Sequence, residues 1–293
     1  MANMGNSVVI VTGASTGFGR VTSETLARHG YRVFATMREV HGRNAHFAKE
    51  IETLAQRESL ALQALELDVT DEHSVNRAID EVIAKYGCID AVVNNAGYAI
   101  VDLAEAVTPA QGQRLFDTNV FGAVRMNRAV LPVMRKQGSG LLLHISSGAG
   151  RLVIPAMGFY CASKFALEAL AESYRYELAS LGIDSVLIEP GAYRTPIMAK
   201  FEKGEDPART AEYGEAAGLP GKMGARVASS QADPQDIADC ILKIMRTPAG
   251  ERALRYRVSA NDLGVSGINT LTDEVQAKFL EACGIAEITT FAG

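Results

Sequence analysis

The sequence predicts an α/β fold, a doubly wound parallel sheet of about seven strands with helices on both faces. Short runs of β-branched and aliphatic residues alternate with amphipathic helical segments along most of the chain. The run at 89–93 is largely apolar, as expected of a parallel strand that is buried on both faces. Glycines and polar side chains follow directly after several predicted strands, and the carboxyl ends of parallel strands meet at one edge of a sheet.

The strands and helices alternate in the order that such a sheet requires. Strands are predicted at 7–11, 31–36, 60–67, 89–93, 141–145, 183–188 and 253–258. Helices are predicted at 20–29, 41–58, 71–86, 109–137, 234–245 and 272–283, with a further helix that carries Tyr160 and ends near 181. Between about 197 and 231 there is little periodicity, which predicts a mobile cover over the site.

Composition and charge are typical of an ordinary globular protein. Of the 293 residues, 47% are hydrophobic and 22% are charged, and the net charge of −5 offers no general attraction to nucleic acid or to an anionic membrane. The N-terminus lacks the pattern of a signal peptide, and no apolar run approaches the roughly 20 residues that span a bilayer. We therefore expect a soluble cytoplasmic protein without nucleic-acid or membrane partners.

The spacing of cysteine and histidine argues against a metal site. The four cysteines are far apart and form no Cys-x-x-Cys pair, which suits a reducing compartment. The five histidines are also scattered, and the spacing of His41 and His46 is poor for shared ligation on a helix. The sequence predicts no metal.

A glycine-rich turn connects the first predicted strand to the first predicted helix. It reads Thr-Gly-Ala-Ser-Thr-Gly-Phe-Gly over residues 12–19. A strand, such a turn and a helix N-terminus together present backbone N–H groups to a pyrophosphate. A glycine-rich turn alone is weak evidence for a nucleotide site, because glycine is common in loops.

Arg38 follows the second predicted strand and bears on the choice of cofactor. At this point of a dinucleotide fold an acidic side chain holds a ribose 2′-hydroxyl, whereas an arginine suits a 2′-phosphate. Arg38 therefore favours NADP(H) over NAD(H), although Glu39 stands beside it and Arg38 can equally be a solvated surface residue.

Two further segments follow strands. Asp68 suits an adenine amino group with Val69 packed against the ring; alternatively, Asp68 or Thr70 caps the helix that begins near residue 71. The residues at 94–97 are small or carry amides, which suits a backbone that passes close to a ligand.

Tyr160 and Lys164 stand at i and i+4 and so share one face of a helix. A phenol keeps its proton up to a pKa of roughly 10, and a nearby ammonium lowers that pKa toward neutrality. Such a pair can pass a proton, and Ser147 in the preceding loop can bond the same substrate oxygen. Alone, this spacing is more often a surface contact. The gathering of the candidate sites at one edge of the sheet gives it weight.

Asn119 lies within a predicted helix whose face is apolar. A buried amide is costly unless it is hydrogen-bonded. Asn119 is therefore either satisfied by a neighbouring backbone group or helps to hold a water in a proton path.

Together these residues resemble the short-chain dehydrogenase/reductase family, in the branch with a Thr-Gly-x-x-x-Gly-x-Gly turn. The matching positions occur in order and at family spacing: Thr12, Gly13, Gly17, Gly19, Asp68, Asn94, Asn95, Ala96, Gly97, Asn119, Ser147, Tyr160, Lys164, Pro190, Gly191 and Thr195. The chain looks similar to NADP-preferring members related to 17β-hydroxysteroid and retinol dehydrogenases. Thr16 stands where the strongest NADP members often carry a basic residue, so the cofactor preference depends mainly on Arg38.

The resemblance implies a Rossmann-type fold and hydride transfer between nicotinamide and a carbonyl or alcohol carbon. Tyr160 would be the acid in reduction and the base in oxidation, and Lys164 would lower its pKa and bind the nicotinamide ribose. Ser147 would hold the substrate oxygen and Asn119 would support a water-linked proton relay. The implied cofactor-binding residues are Gly13, Ser15, Thr16, Gly17, Phe18, Gly19, Arg38, Asp68, Val69, Asn95, Ala96, Gly97, Tyr160, Lys164, Pro190, Gly191, Tyr193 and Thr195.

We therefore expect one dinucleotide-binding catalytic domain over residues 1–293, with a substrate-covering segment at about 197–231 and a C-terminal extension at about 259–293. The predicted activity is hydride transfer between NADP(H) and an apolar ketone or secondary alcohol, in a homodimer or homotetramer. The alternatives are a 3-oxoacyl-thioester reductase and a non-catalytic nucleotide-binding regulator. Regulators of this fold usually lose the tyrosine or the lysine.

Overall fold

A computed structural model describes residues 7–193 and 201–291 of the chain. Seven strands form one sheet: β1 (Val8–Val11), β2 (Arg32–Met37), β3 (Leu62–Glu66), β4 (Ala91–Asn94), β5 (Gly140–Ile145), β6 (Ile183–Pro190) and β7 (Arg255–Val258). All neighbours pair in parallel, in the order β3-β2-β1-β4-β5-β6-β7. The strand order reverses between β1 and β4, where doubly wound sheets bind ligands. The predicted fold class is confirmed.

Helices cover both faces of this sheet. They are α1 (Gly17–Arg28), α2 (Ala45–Glu58), α3 (Glu72–Tyr86), α4 (Pro109–Phe116), α5 (Gly122–Gln137), α6 (Gly158–Leu178), α7 (Pro207–Ala211), α8 (Leu219–Ala228), α9 (Gln235–Arg246) and α10 (Val265–Ala282). One apolar core lies between the sheet and α1, α2 and α9. A second core lies between the opposite sheet face and α3, α5 and α6.

The central strand β1 shows why the sheet is buried on both sides. Val9 and Val11 point into the first core, whereas Val8 and Ile10 point into the second. All four side chains are fully buried. A strand with two buried faces reads as a continuous apolar run in the sequence, and this made β1 and β4 predictable.

The N-cap of α3 is neither Asp68 nor Thr70, the two residues that the sequence offered as caps. Asp71 is the N-cap residue, and its carboxylate accepts a hydrogen bond of 2.9 Å from the backbone N–H of His73. Asp68 instead accepts from the N–H and hydroxyl of Thr70, at 2.9 and 2.8 Å. The prediction that Asp68 or Thr70 caps this helix was therefore wrong, because the two residues bond each other.

The predicted long helix at 109–137 contains one irregular turn. Residues Asp117–Phe121 form a π-helical turn, which joins α4 directly to α5 with no intervening loop. Such turns insert one residue and often accompany functional sites. This turn carries Asn119.

The residues after 200 contain more helix than the sequence indicated. The helices α7 and α8 lie in the stretch that showed little periodicity, and neither contains a fully buried residue. They are short, with five and ten residues, and a short segment offers too few turns for its apolar spacing to identify a helix. The final helix α10 begins at Val265, earlier than the predicted 272.

In the described parts of the chain no helix is long and apolar enough to cross a membrane. Residues 7–193 and 201–291 also contain no group of three or more His, Cys, Asp or Glu side chains that could hold a metal ion.

Candidate active site

Ser147, Tyr160 and Lys164 converge at the carboxyl edge of the sheet. The strand β5 ends at Ile145 and delivers Ser147, whose hydroxyl accepts a hydrogen bond of 3.1 Å from the N–H of Ala149. Tyr160 lies in the first turn of α6, and Lys164 follows one turn later. The Lys164 Nζ donates to the carbonyl of Ile145 at 2.7 Å and lies 5.8 Å from the centre of the Tyr160 ring.

Burial dominates the proton affinities of this group. It raises the pKa of Tyr160 to about 12, and a hydrogen bond from Ser147 opposes that shift. Burial lowers the pKa of Lys164 to about 8. Burial thus sets the direction of the shift for the phenol, and the expectation that Lys164 lowers this pKa stays a prediction.

Asn119 uses its side chain to join two parts of the site. Its Oδ1 accepts from the N–H of Tyr98 at 3.0 Å, and its Nδ2 donates to the Tyr98 carbonyl at 2.9 Å. The same Nδ2 donates to the hydroxyl of Ser163 at 3.1 Å, and Ser163 donates to the carbonyl of Tyr160 at 2.8 Å. The amide is therefore satisfied by backbone and hydroxyl groups, and its part in a water-linked relay stays a prediction.

The glycine turn packs directly against the segment that follows β4. The Thr12 hydroxyl accepts from the N–H groups of Asn95 and Ala96, at 2.9 and 3.0 Å. Asn95 Nδ2 donates back to the Thr12 carbonyl at 2.7 Å. Gly13 has a φ of +66°, and a Cβ on it would lie 2.9 Å from the Ala96 Cα. Only glycine fits this approach, which brings the turn and the 94–97 segment together.

The N-terminus of α1 opens at this turn. The helix begins at Gly17, which has a φ of +62°. Ser15 is buried, whereas Phe18 faces the cavity and meets the ring of Tyr193 edge-on at 5.2 Å between centroids. The turn, the helix N-terminus and the loop after β6 thus frame one side of the site.

Arg38 lies directly after β2, close to Asp68. Its Nη1 is 4.0 Å from the Asp68 Oδ2, and its side chain is 52% exposed. Glu39 has a φ of +51° and pairs with Arg43 at 3.2 Å. The acidic neighbour is therefore already paired with Arg43, while Arg38 stands on the carboxyl edge beside Asp68.

The loop after β6 closes the floor of the site. The N–H of Gly191 donates to the carbonyl of Val258 at 2.9 Å, and a Cβ on Gly191 would lie 2.2 Å from the Ser259 hydroxyl. The buried hydroxyl of Tyr193 donates to the same Val258 carbonyl at 3.4 Å. Thr195 falls outside the described residues, so its implied contact with the cofactor stays a prediction. Val69 is a buried core residue that lies against Gly122.

These residues surround one cavity of about 880 Å³. Its walls include Asn95, Gly97, Ser147, Tyr160, Lys164, Pro190, Gly191 and Tyr193. The rest of the lining is mostly apolar and includes residues that the sequence did not single out: Val153, Ile154, Met157, Phe201, Met223 and Leu263. Nothing in their spacing distinguishes them from other apolar residues, which occur both in cores and singly on surfaces.

Comparison with known proteins agrees with this geometry. The family model described as short chain dehydrogenase matches residues 7–206. An oxidoreductase from Bacillus subtilis, YusZ, is 36% identical over 87% of this chain and 90% of its own length. Estradiol 17-beta-dehydrogenase 1 from Rattus norvegicus is 33% identical over 95% of this chain and 81% of its own length.

A solved structure shares the fold. An alcohol dehydrogenase from the archaeon Thermococcus sibiricus, complexed with 5-hydroxy-NADP, is 26% identical. The similarity covers 86% of this chain and 96% of that one, with a TM-score of 0.68.

Proposed function

Because the chain belongs to the short-chain dehydrogenase family, we propose that it is an NADP(H)-dependent oxidoreductase that interconverts an apolar ketone and a secondary alcohol. One observation supports this most strongly: Ser147, Tyr160 and Lys164 line the same cavity as the segment that packs on the glycine turn. When bound, the nicotinamide supplies or accepts the hydride. The protein supplies orientation and the proton.

In reduction the substrate carbon gains a hydride and its oxygen gains a proton. The Tyr160 phenol, protonated at neutral pH because burial raises its pKa, donates that proton. The Ser147 hydroxyl donates a hydrogen bond to the same oxygen, and the Lys164 ammonium stabilises the tyrosinate that remains. Tyr160 then regains a proton from solvent, and in oxidation each transfer is reversed.

The residues around the glycine turn fit a dinucleotide with a 2′-phosphate. Gly13 has no space for a Cβ, and the N-terminus of α1 offers N–H groups and a favourable dipole to a pyrophosphate. Arg38 lies on the same edge, and its neighbouring acid, Glu39, is paired with Arg43. An arginine at this point attracts a phosphate, and a ribose hydroxyl would need an acceptor there.

The apolar lining supports an apolar substrate. Phe201 and Met223 pack with Met157 and Cys161 beside Tyr160, so residues 201–231 contribute part of the wall. We therefore infer that this stretch covers the substrate. The rat relative is named for estradiol, a largely hydrocarbon alcohol, which is consistent with this choice.

Turnover of a ketone panel with NADPH tests the proposal. We expect Tyr160→Phe to lose about 100-fold or more in kcat/KM while NADPH still binds, because the variant lacks the proton donor. The panel contains ketones of increasing hydrocarbon size and a 3-oxoacyl thioester. Tyr176→Phe is the matched control, because Tyr176 lies on the same helix and its hydroxyl donates to Glu172 at 2.8 Å.

Full turnover by Tyr160→Phe would remove Tyr160 from the mechanism. Tight NADPH binding without turnover of any carbonyl would instead indicate a regulator. Faster turnover of the thioester than of every free ketone would assign the chain to acyl reduction.

A further inference from the structure

Two carboxylates lie buried directly behind the active site. Glu168 follows Lys164 by one turn of α6, and Glu189 is near the end of β6. Their exposed fractions are 2% and 0%. Both face Arg255, whose Nε donates to Glu168 at 2.9 Å and lies 3.7 Å from the Glu189 Oε1. Buried carboxylates are costly to leave unpaired, so their charge has to be balanced locally.

Residues from several elements surround this pair. Arg255 also pairs with Glu172 of α6 and, at 3.0 Å, with Asp273 of α10. Asn269 of α10 donates to Glu189 at 2.8 Å and accepts from the Arg151 Nε at 2.8 Å. Arg257 donates to the Glu189 carbonyl at 2.8 Å, so four carboxylates and three guanidinium groups meet here. Burial raises the pKa of Glu168 and raises the pKa of Glu189 to about 7, so the cluster becomes more anionic as the pH rises through 7.

The cluster reaches the loop that carries Ser147. A Cβ on Gly150 would lie 2.8 Å from the Ser146 hydroxyl, 2.9 Å from the Glu168 Cγ and 3.3 Å from the Lys164 carbonyl. The stem of Glu168 therefore packs between this loop and the backbone of Lys164. Glu168 is thus close to the catalytic lysine without touching the substrate cavity.

Lys164 needs a counter-charge that its direct partners do not provide. It is 6% exposed, and within the described ranges its Nζ donates one hydrogen bond, to the Ile145 carbonyl, and forms no ion pair. His144, on β5, is neutral because burial lowers its pKa to about 3. Glu168 is the charged group that raises the pKa of Lys164 against the effect of burial.

We propose that Glu168, supported by Glu189, is a positioning residue that keeps Lys164 protonated in its buried site. The inference rests on the proposed function, in which Lys164 must be a cation beside Tyr160. It also connects α10 to the active site, because Asn269 of that helix donates a hydrogen bond to Glu189.

Titration of Lys164 by NMR of ¹³C-lysine-labelled protein tests this directly. The Lys164 resonance is assigned from a Lys164→Arg variant, and no turnover is needed. We expect Glu168→Gln to lower the pKa of Lys164 by about half a unit or more, since it removes an anion and leaves Arg255 less balanced. Glu189→Gln shifts the pKa in the same direction by less. Asp273→Asn, which changes a half-exposed partner of Arg255, leaves the pKa unchanged.

The same variants have a kinetic readout. We expect kcat/KM for ketone reduction to fall at high pH as Lys164 loses its proton, and Glu168→Gln should move that fall to lower pH. Thermal unfolding identifies any variant that fails to fold, and Glu189→Gln then decides the question. An unshifted Lys164 titration in a folded Glu168→Gln or Glu189→Gln variant would overturn the inference. An inactive wild-type protein would refute the proposed function alone.

Discussion

Tyr160 holds its proton more tightly than the sequence suggested. The i, i+4 lysine is present, but the tyrosine is half-buried against an apolar cluster, and this burial raises its pKa to about 12. The protonated phenol is therefore the form present at pH 7, which suits the acid role in reduction. Oxidation needs the phenolate, which forms as the pH rises toward that pKa, so alkaline solution favours the reverse direction.

The charge of Arg38 should distinguish the two nicotinamide cofactors. We expect Arg38→Ala to weaken NADPH binding by about 10-fold or more, because one charge-assisted hydrogen bond contributes about 1.5–3 kcal/mol. NADH binding should change little, since NADH has no 2′-phosphate. Fluorescence titration of both cofactors measures the two dissociation constants.

Arg57→Ala is the control for this comparison. Arg57 is an exposed residue at the last turn of α2, and it pairs with Glu58. Removing it should leave both dissociation constants unchanged. Equal losses of NADPH and NADH affinity in Arg38→Ala would contradict the 2′-phosphate role.

The residues of the site were largely predictable, whereas their partners were not. Arg38 and Glu39 are adjacent in the sequence, and nothing there shows that Glu39 adopts a φ of +51° and pairs with Arg43. The backbone conformation of a single residue depends on its surroundings, so a propensity could not supply it.

At the scale of elements, two helical glycines have opposite roles. Gly19 in α1 lies where a Cβ would be 2.5 Å from the Asn95 Nδ2 and 2.7 Å from the Gly13 carbonyl. Gly221 in α8 has no other part of the described chain within 4 Å of such a Cβ. Both have ordinary helical φ values, so their difference is purely steric.

We expect Gly19→Ala to destabilise the fold by about 1–3 kcal/mol and to weaken NADPH binding, because overpacking forces the turn away from Asn95. Gly221→Ala should stabilise the fold by up to about 1 kcal/mol, as alanine is the better helix former. Urea unfolding measures both changes. A Gly19→Ala protein with wild-type stability and NADPH affinity would show that the turn accommodates the added methyl group without loss of stability.

The helices and strands that the sequence predicted correctly are mainly those that bury a face in one of the two apolar cores. The strands at the centre of the sheet and the helices α1 and α3 show the expected apolar spacing. The helix α8 was missed because it has only ten residues, two of them glycines within the helix, and the π-helical turn at 117–121 leaves the apolar pattern almost unchanged. Both depend on contacts with distant segments, which a local pattern does not record.

At the scale of the whole molecule, Asp102 links residues 204–210 to the segment that follows β4. Its carboxylate accepts from the N–H of Gly204 at 3.0 Å and from the hydroxyl of Thr210 at 2.8 Å. Asp102 is buried, whereas the nearby pair of Glu105 and Arg209 is exposed. Exposed ion pairs contribute little, so Asp102 should matter more than Glu105.

We expect Asp102→Ala to expose the 201–213 stretch to proteases and to raise the KM for the ketone several-fold, by about 1 kcal/mol per lost hydrogen bond. The affinity for NADPH should not change, because Asp102 bonds to Leu103, Gly204 and Thr210, none of which is among the implied cofactor-binding residues. Limited proteolysis and steady-state kinetics measure the effects, with Glu105→Ala as the exposed control. Identical cleavage of the wild-type and Asp102→Ala proteins would argue against this link.

The cluster behind the site illustrates what a sequence conceals at this scale. Glu168, Glu189 and Arg255 are far apart in the chain and meet only because β6 lies between β5 and β7. The spacing of Lys164 and Glu168 was visible, but it is common on helices. The strand order places Glu189 and Arg255 next to Glu168, and that order is a property of the complete sheet.

This arrangement has a consequence for the order in which the protein is made. A ribosome synthesises Tyr160, Lys164, Glu168 and Glu189 well before it reaches Arg255 and Asn269. Until those later residues emerge, the two acids have neither the guanidinium nor the amide that balances them, and they repel each other. The segment with the glycine turn can thus fold early, whereas the charged cluster behind the active site is complete only after β7 and α10 have been synthesised.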